Sequence, residues 1–309
     1  MLRGGLWAAV AAAALVSLLR LDGSAPLPQV VAFVPLLAPG LLLVLLAAGL
    51  LRARPLAAAA AALLLLQVAW AAPQVAPHPA PPRGAADLTV MTANVEVGRA
   101  DPDAVVAAVR DHAVDVLVLV ELTTGLADRL DAAGLARELP ERVVEAREGA
   151  AGAAVYARTP LRPAGLVGGT TFPAPVAALE LPGRAPLLVA AVHPVSPRPE
   201  TEGAWRGDLR RLAAWSRGAG ERVVVAGDLN ATRDHGPFRA LLGTGLVDAA
   251  EGGPGALVRP TWPADLGVPP LVRIDHVLVR EGAAVPTGSR TVALPGTDHR
   301  AVVAGLAVR

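Results

Sequence analysis

Three stretches without a charged residue, all within the first 72 residues, restrict what this chain can fold into. They cover residues 6–19, 30–51 and 56–72, which are 14, 22 and 17 residues long. A helix needs about 20 apolar residues to cross a bilayer, and about 17 to 25 are tolerated. None of the stretches has the polar face of a helix on a soluble domain. We therefore predict a membrane anchor over residues 1–72 with three transmembrane helices, although the short first stretch also fits a cleaved signal peptide.

The arginines around these stretches predict the orientation of the anchor. Arg3 precedes the first stretch, and Arg52 and Arg54 lie in the short loop between the second and the third. Cytoplasmic loops carry an excess of basic residues, so the N-terminus and this loop are expected in the cytoplasm. The C-terminal part then emerges outside, whether or not the first stretch is cleaved. We expect a multi-pass protein of the plasma membrane, with the lipid bilayer as its first partner.

A proline-rich linker is predicted over residues 73–84, where five prolines favour an extended spacer. Residues 85–309 are enough for one domain with its own core. They carry 23 arginines and 26 acidic residues, which gives a net charge of −3 against +1 for the whole chain. A domain without excess positive charge is poorly suited to non-specific nucleic-acid binding, so nucleic acid is the less favoured partner.

The pattern within this domain is that of a mixed α/β fold. Short β-rich runs at 88–93 and 116–120 flank a helix that starts after Asp101, and another helix is expected after Thr123. Further strands are expected at 153–157, 176–181, 187–192, 222–226, 273–280 and 301–308, with an amphipathic helix over 201–217. This order indicates an α/β fold with two sheets rather than a doubly wound sheet.

Polar side chains stand at or near the ends of the predicted strands. They are Asn94, Glu121, His193, Asp228, Asn230, Asp275, Asp298 and His299. Strand ends that meet at one edge of a sheet form a pocket, so we expect these side chains to converge. Each also has an ordinary explanation when taken alone: a helix cap, a turn, or a hydrogen-bonded structural histidine.

The residue types in this set favour metal-assisted phosphoester hydrolysis. Carboxylates and amides in a chain without cysteine select a hard cation such as Mg²⁺ or Mn²⁺. Such an ion polarises a phosphoryl oxygen, while an aspartate activates water and imidazoles contact the phosphate. The signatures of serine hydrolases, P-loop enzymes, zinc proteases and dinucleotide-binding enzymes are absent from the sequence. Outside the set, we expect His112 and His235 at the surface, Tyr156 in the core, and His276 on the opposite face of its strand as a structural residue.

The order of the motifs TANV, LVE, VHP, GDLN, RIDH and TDHR resembles the endonuclease/exonuclease/phosphatase superfamily over about residues 84–309. The resemblance implies a four-layer sandwich of two mixed β-sheets flanked by helices. Three spans ahead of such a domain also resemble the membrane-anchored actinobacterial members of this family that are associated with teicoplanin resistance.

The resemblance further implies a metal site. Glu121 would be the principal metal ligand, and Asn94 beside it would orient the metal or the base. Asp298 would be a further metal-site carboxylate, and Glu96 occupies a position where some family members place an additional acidic ligand. The implied cofactor is Mg²⁺ or Mn²⁺.

The remaining residues acquire catalytic roles from the same resemblance. Asp228 would activate the water, and Asn230 would fix the phosphate and this aspartate. His193 would contact the phosphate and assist the departing oxygen. His299, oriented by Asp275, would stabilise the charge of the pentacovalent state.

We therefore expect a membrane-tethered, divalent-metal-dependent phosphoesterase that hydrolyses a phosphoester or pyrophosphate outside the cytoplasm. The expected substrate is a phosphorylated small molecule or lipid. An extracytoplasmic nuclease acting on DNA or RNA is the first alternative, and an inactive binding module on the same fold is the second. The second alternative is disfavoured because Glu121, Asp228 and His299 are all present.

Overall fold

The computed structural model describes residues 1–21 and 27–309, apart from the side chain of Pro254. The N-terminal part contains α1 (Leu2–Leu21), α2 (Pro28–Ala32), a 3₁₀ turn (Val34–Leu36), α3 (Leu37–Leu50) and α4 (Arg54–Val75). Within the described residues, α1 and α4 are the two helices that are long and apolar enough to cross a membrane.

The predicted span over residues 30–51 is not one continuous α-helix. The helix α2 ends at Ala32, and Pro35 lies in the 3₁₀ turn, where its ring and missing N–H prevent a continuous α-helix. The remaining helix α3 has 14 residues. At 1.5 Å per residue it rises about 21 Å, short of a hydrocarbon core of about 30 Å. Two candidate spans are therefore present in the described part of the chain, and three transmembrane helices remain a prediction.

Residues 85–309 form an α/β unit. Its strands are β1 (Ala86–Asn94), β2 (Val116–Val120), β3 (Glu141–Glu145), β4 (Ala153–Ala157), β5 (Leu161–Leu166), β6 (Pro175–Leu179), β7 (Leu187–Val192), β8 (Val223–Asp228), β9 (Leu246–Asp248), β10 (Asp275–Arg280), β11 (Ala284–Ala293) and β12 (Arg300–Val308). Its helices are α5 (Pro102–Asp111), α6 (Thr124–Ala133), α7 (Leu135–Glu138), α8 (Glu202–Gly218) and α9 (Gly236–Leu242), with 3₁₀ turns at Gly149–Ala151 and Pro254–Val258.

Two six-stranded sheets are present among the described residues, and both are mixed. The first has the order β11-β12-β1-β2-β4-β3 and the second β5-β6-β7-β8-β10-β9. The pairs β1–β2 and β7–β8 are parallel, and the other neighbouring strands are antiparallel. The predicted pair of mixed sheets flanked by helices is confirmed.

The hydrophobic core has three layers that hold the sheets and helices together. Val118 and Val224, from different sheets, share the central layer. A second layer packs the first sheet against α5 and α6, through residues such as Val105. A third packs the other sheet against α8 and α9, where Trp205 and Phe238 are fully buried. Because the central strands are covered on both faces, their sequences are apolar at consecutive positions, as in Val116–Val120.

The two helices expected near the first sheet begin where their caps predict. The side chain of Asp101 accepts hydrogen bonds from the backbone N–H groups of Asp103 and Ala104, and Pro102 opens α5. Thr123 accepts a hydrogen bond from Leu126 N at the start of α6. These caps fix the chain immediately after β1 and β2, where candidate site residues lie.

The predicted linker does not hold the domain away from the anchor. The helix α4 continues to Val75, and the carbonyls of Gln74 and Val75 accept hydrogen bonds from Gly252 N at 2.8 Å and Gly253 N at 3.1 Å. At the end of α1, Arg20 Nε lies 2.6 Å from Asp234 Oδ1. The α/β unit therefore packs directly on one end of the N-terminal helices that were predicted as the anchor.

Candidate active site

The polar residues that follow the buried strands meet at one end of the two sheets. Asn94 ends β1 and pairs with Val120 of β2, which immediately precedes Glu121. In the other sheet, Asp228 ends β8 and pairs with Asp275 at the start of β10. The sandwich thus places side chains from both sheets at one edge.

Asn94 joins the two sheets through its side-chain amide. Its Nδ2 donates to Glu121 Oε1 at 2.9 Å and to Asp228 Oδ2 at 3.1 Å. Its Oδ1 accepts a hydrogen bond from Glu96 N at 2.9 Å, which fixes the orientation of the amide. One side chain therefore holds two carboxylates of different sheets close together.

The backbone around these carboxylates adopts uncommon conformations. Glu121 and Asn230 have φ of 60° and 48°, in the left-handed region that non-glycine residues seldom adopt. Gly227 precedes Asp228 with φ of 148°, and a Cβ at this position would lie 1.9 Å from Val192 O. Only glycine allows β8 to approach β7 this closely, which places Asp228 at the mouth of the sandwich.

His299 and Asp275 form a hydrogen-bonded pair. His299 Nδ1 donates to Asp275 Oδ2 at 2.8 Å, so its Nε2 faces the cleft, 3.8 Å from Asp228 Oδ2 and 3.8 Å from Asp298 Oδ1. Burial lowers the pKa of His299, but the charge and hydrogen bond of Asp275 and the two other carboxylates outweigh it and raise the pKa to about 10. The imidazole is therefore positively charged at neutral pH.

His193 lies on the other side of the carboxylates. Its Nδ1 contacts Ala150 O at 3.0 Å, so Nδ1 carries the hydrogen and Nε2 faces the site. This Nε2 is 3.7 Å from both Glu121 Oε1 and Asp228 Oδ2, and 3.3 Å from Asn230 Nδ2. Two imidazoles thus flank the central carboxylate.

The environment of Asp228 suits a base. Burial and the nearby charge of Asp275 raise its pKa, whereas His299, His193 and the hydrogen bond from Asn230 N at 2.7 Å lower it. The net direction is upward. A carboxylate with a raised pKa accepts a proton from water more readily than an ordinary aspartate.

Glu96 and Asp298 line the same cleft as Glu121, Asp228 and His299. Glu96 Oε2 accepts a hydrogen bond from Asp298 N at 3.0 Å, and its Oε1 forms an ion pair with Arg99. Asp298 Oδ2 accepts a hydrogen bond from the indole of Trp262 at 2.9 Å. Both oxygens of Glu96 thus have partners, as both oxygens of Glu121 do, and the role of Glu96 as a metal ligand stays a prediction.

The donor atoms at the centre fit a hard divalent cation. One atom each from Asp228, Asp275 and His299 lie within 4.8 Å of one another. Because His299 is an imidazolium, the carboxylate oxygens are the atoms of this group that can ligate a cation. Asp275 Oδ1 is buried and has no hydrogen-bond partner among the described residues. The carboxylate of Glu121 lies next to this group, because Asn94 Nδ2 donates hydrogen bonds to both Glu121 and Asp228. Carboxylate oxygens without thiolates suit Mg²⁺ or Mn²⁺.

The histidines and the tyrosine assigned outside the site fall into two groups. His276 bonds to Asp248 Oδ2 at 2.7 Å on the opposite face of β10, and Tyr156 is buried in the core, as expected. His235, predicted at the surface, is instead 3% exposed, and its Nε2 lies 2.7 Å from Pro28 O. The prediction for His235 was wrong because the anchor covers it.

The site opens into a cleft of about 650 Å³, and part of its wall belongs to the anchor. Gln29, Ala32 and Phe33 line it together with the candidate catalytic residues. Phe172 also lines it, with its ring centroid 5.4 Å from that of His193. Sequence reasoning missed these lining residues, since 30–51 reads as part of a membrane span and Phe172 stands in a turn.

Comparison with known proteins identifies the family and the fold. The model of the Endonuclease/Exonuclease/phosphatase family matches residues 91–299. The chain is similar to an endonuclease/exonuclease/phosphatase from Beutenbergia cavernae (21% identity, TM-score 0.53, covering 72% of this chain and 72% of that one). It is also similar to the 3′ phosphatase NExo from Neisseria bound to product DNA hairpin (20% identity, TM-score 0.54, covering 70% of this chain and 98% of that one). A third similar structure is sphingomyelinase C from Streptomyces griseocarneus (20% identity, TM-score 0.50, covering 71% of this chain and 99% of that one). Curated protein sequences gave no significant match. Since these solved structures carry different names on one fold, the fold does not select the substrate.

Proposed function

The chain belongs to the endonuclease/exonuclease/phosphatase family of metal-dependent phosphoester hydrolases, and on this premise we propose that it is a membrane-tethered phosphoesterase that acts outside the cytoplasm on a phosphoester or pyrophosphate, preferably a lipid-linked one. One observation carries the proposal. The cleft that contains the candidate catalytic residues is completed by Ala32 and Phe33 of the anchor. A phosphorylated lipid fits this arrangement, because its phosphate can meet the imidazoles while its apolar part meets the anchor.

Glu121 and Asp275 would hold the metal, and Asn94 would fix Asp228 beside Glu121 so that Asp228 stays available to the attacking water. When bound, Mg²⁺ or Mn²⁺ polarises a phosphoryl oxygen and offsets the negative charge of the substrate. Burial, and after it the negative charge of Asp275, raise the pKa of Asp228 and so disfavour its ionised form. The buried carboxylates thus also repel one another. A divalent cation relieves this repulsion, so the donor set favours binding one.

The protein side chains supply the remaining chemistry. Asp228 orients the attacking water and takes its proton. His299, held as an imidazolium by Asp275, offers its Nε2–H to the charge that develops on the phosphoryl oxygens. His193 contacts the phosphate from the opposite side and assists the departing oxygen.

The first experiment tests the site and the metal together. Full-length protein in lipid nanodiscs is assayed with Mg²⁺, with Mn²⁺ and with excess chelator. Asp228→Ala and His299→Ala are expected to lower turnover at least about 100-fold, the usual effect of losing a general base or a charge-stabilising donor. The matched control is Asp111→Ala, an exposed residue at the end of α5, which should remain fully active. Activity that persists in chelator would refute the metal mechanism.

Two conservative variants separate the predicted metal ligands. Glu121→Gln should weaken metal binding and recover part of its activity at higher metal concentration, because a ligand is weakened while Asp228 is intact. Glu96→Gln should leave the metal requirement unchanged, because the charge of Arg99 already offsets its carboxylate. A larger metal effect at Glu96 than at Glu121 would contradict this assignment.

Substrate class is tested by competition between lipid phosphates and DNA at matched metal and salt. The α/β unit has a net charge of −3, and Trp205, which could otherwise stack on bases, is fully buried. We therefore expect lipid-linked phosphates to be preferred. If DNA is cleaved with kcat/KM at least about tenfold above every lipid phosphate, a preference of roughly 1.4 kcal/mol, the nuclease alternative is correct.

Topology is tested by reporter fusions after Arg309. Arg3 Nη2 donates to Leu51 O at 2.8 Å, so the N-terminus and the loop with Arg52 and Arg54 lie at the same end of the anchor. This clustering supports a cytoplasmic location for that end. A reporter that works only outside the cytoplasm should be active, and one that works only inside should be silent. The reverse result would contradict the extracytoplasmic location.

A further inference from the structure

Exposed large apolar side chains are concentrated in one segment of the α/β unit. Among the described residues after Val75, seven such side chains are exposed, and two of them, Val97 and Leu166, stand alone. The other five, between 39% and 75% exposed, fall within residues 257–271: Leu257, Val258, Leu266, Val268 and Leu271. A soluble domain rarely gathers apolar side chains in this way unless the surface meets a partner.

This segment is held at the end of α4. Directly before it, the N–H groups of Gly252 and Gly253 donate to the carbonyls of Gln74 and Val75. Directly after it, Arg273 Nη1 donates to Ala256 O at 2.7 Å, which closes the segment into a loop. Both ends of the segment are thus fixed beside the last turn of a candidate membrane-spanning helix.

The position of the loop along α4 sets its depth relative to a bilayer. The apolar stretch of α4 ends at Ala72, just after Trp70, and tryptophan side chains favour the interface between hydrocarbon and water. Leu257 and Leu271 line a second cavity together with Trp70. The loop therefore lies at the level where the hydrocarbon of a bilayer gives way to headgroups.

We propose that residues 257–271 form an interfacial loop that inserts its exposed apolar side chains into the lipid leaflet at this end of the anchor. The partner is the bilayer itself, since the loop continues the apolar surface of α4. The loop also reaches the active site, because Ala264 N donates to Asp298 O at 2.7 Å and Trp262 bonds the side chain of the same residue. Its insertion holds the mouth of the cleft at the membrane surface. The inference rests on the proposed membrane anchoring but not on the proposed chemistry.

The absence of cysteine from the chain allows a direct test by site-specific labelling. Val258→Cys and Val268→Cys are made in the full chain, labelled with an environment-sensitive fluorophore and placed in lipid nanodiscs. Quenching is measured with nitroxide-labelled lipids, which carry the nitroxide in the headgroup or along the acyl chain, and with aqueous iodide. Glu281→Cys is the exposed control, because it follows the far end of β10, six residues from Asp275. Leu43→Cys, an exposed position on α3, is the control within the anchor.

Labels at 258 and 268 are expected to be quenched by the lipid nitroxide severalfold more, and by iodide severalfold less, than the label at 281. Iodide quenching equal to that at 281 would overturn the inference. Protection from iodide without lipid quenching would also overturn it, in favour of a protein partner. If the label at Leu43 also escapes lipid quenching, the anchoring itself is refuted, which distinguishes the two failures.

Discussion

Replacing Asp275 with asparagine is expected to remove the positive charge of His299 at neutral pH. In the native structure, Asp275 contributes both a charge and a 2.8 Å hydrogen bond to this imidazole. Asparagine keeps the size of the side chain and loses the charge. Burial, which lowers the pKa of a histidine, is then opposed only by the more distant carboxylates of Asp228 and Asp298. The pKa of His299 should therefore fall well below 10.

The size of the effect follows from linkage between protonation and folding. A rise of the His299 pKa from 6.5 to about 10 corresponds to roughly 5 kcal/mol of preference for the protonated imidazole in the folded state. Because the folded pKa is the higher one, this stabilisation is complete below pH 6.5 and is lost as the pH rises from 6.5 through about 10. Asp275→Asn should lack most of it and should show a flatter dependence of unfolding free energy on pH in that window.

The assay is nuclear magnetic resonance of the imidazole nitrogens in chelator-treated, histidine-labelled full-length protein. The chain has six histidines, and the signal of His299 is assigned by its loss in His299→Gln. At pH 8 the wild-type imidazole should be protonated and that of Asp275→Asn neutral. A wild-type imidazole that titrates near pH 6.5, or a variant still protonated at pH 8, would refute the reasoning.

Two stability predictions rest on other features. Gly227→Ala places a Cβ 1.9 Å from Val192 O and should lower the free energy of unfolding by about 3 kcal/mol or more. Gly218→Ala, whose Cβ would have no atom within 4 Å, should change the free energy of unfolding by less than about 0.5 kcal/mol. Thermal unfolding measures both variants, and equal midpoints would contradict the prediction for Gly227. Tyr156→Phe should not destabilise the protein, because the buried hydroxyl has no hydrogen-bond partner in the described part of the chain. Burial raises the pKa of Tyr156 to about 12, so the wild type loses stability as the pH rises from 10 through about 12, and unfolding at pH 8 and 11 should show that the variant does not share this loss.

The strands that the sequence predicted and those that it missed occupy different places in the sheets. The eight predicted strands are the interior ones, whereas β3, β5, β9 and β11, the four edges of the sheets in the described structure, were missed. An interior strand is covered on both faces and carries an apolar run. An edge strand can carry polar residues, proline and glycine, as in β5 (LRPAGL). Its sequence pattern therefore predicts a turn rather than a strand.

The candidate site was predictable for a related reason. A polar residue at the end of an apolar strand has no role in the core, so Asn94, Glu121 and Asp228 stand out from their neighbours. Their direct contacts were not predictable, because the bridge made by the Asn94 amide depends on how the two sheets face each other. The same holds for Glu96, whose contacts with Arg99 and the backbone of Asp298 depend on the fold, while its role as a ligand, which the family resemblance implies, stays a prediction.

The anchor and the α/β unit are each encoded by a local pattern, but the contact between them is not. Arg20 and Asp234 are 214 positions apart, and His235 and Pro28 are 207 positions apart, so each contact depends on single residues that carry no periodic signal. Arg20 reads in the sequence as the end of an apolar helix, and only the fold reveals its carboxylate partner. An α/β unit cut free of its anchor would expose Asp234 and His235 and would lose the wall of the cleft that Phe33 forms. The proposed preference for lipid-linked phosphates therefore requires the full chain. A fragment of residues 85–309 is expected to bind soluble phosphates as the full chain does and to show no advantage on phosphates with an apolar tail.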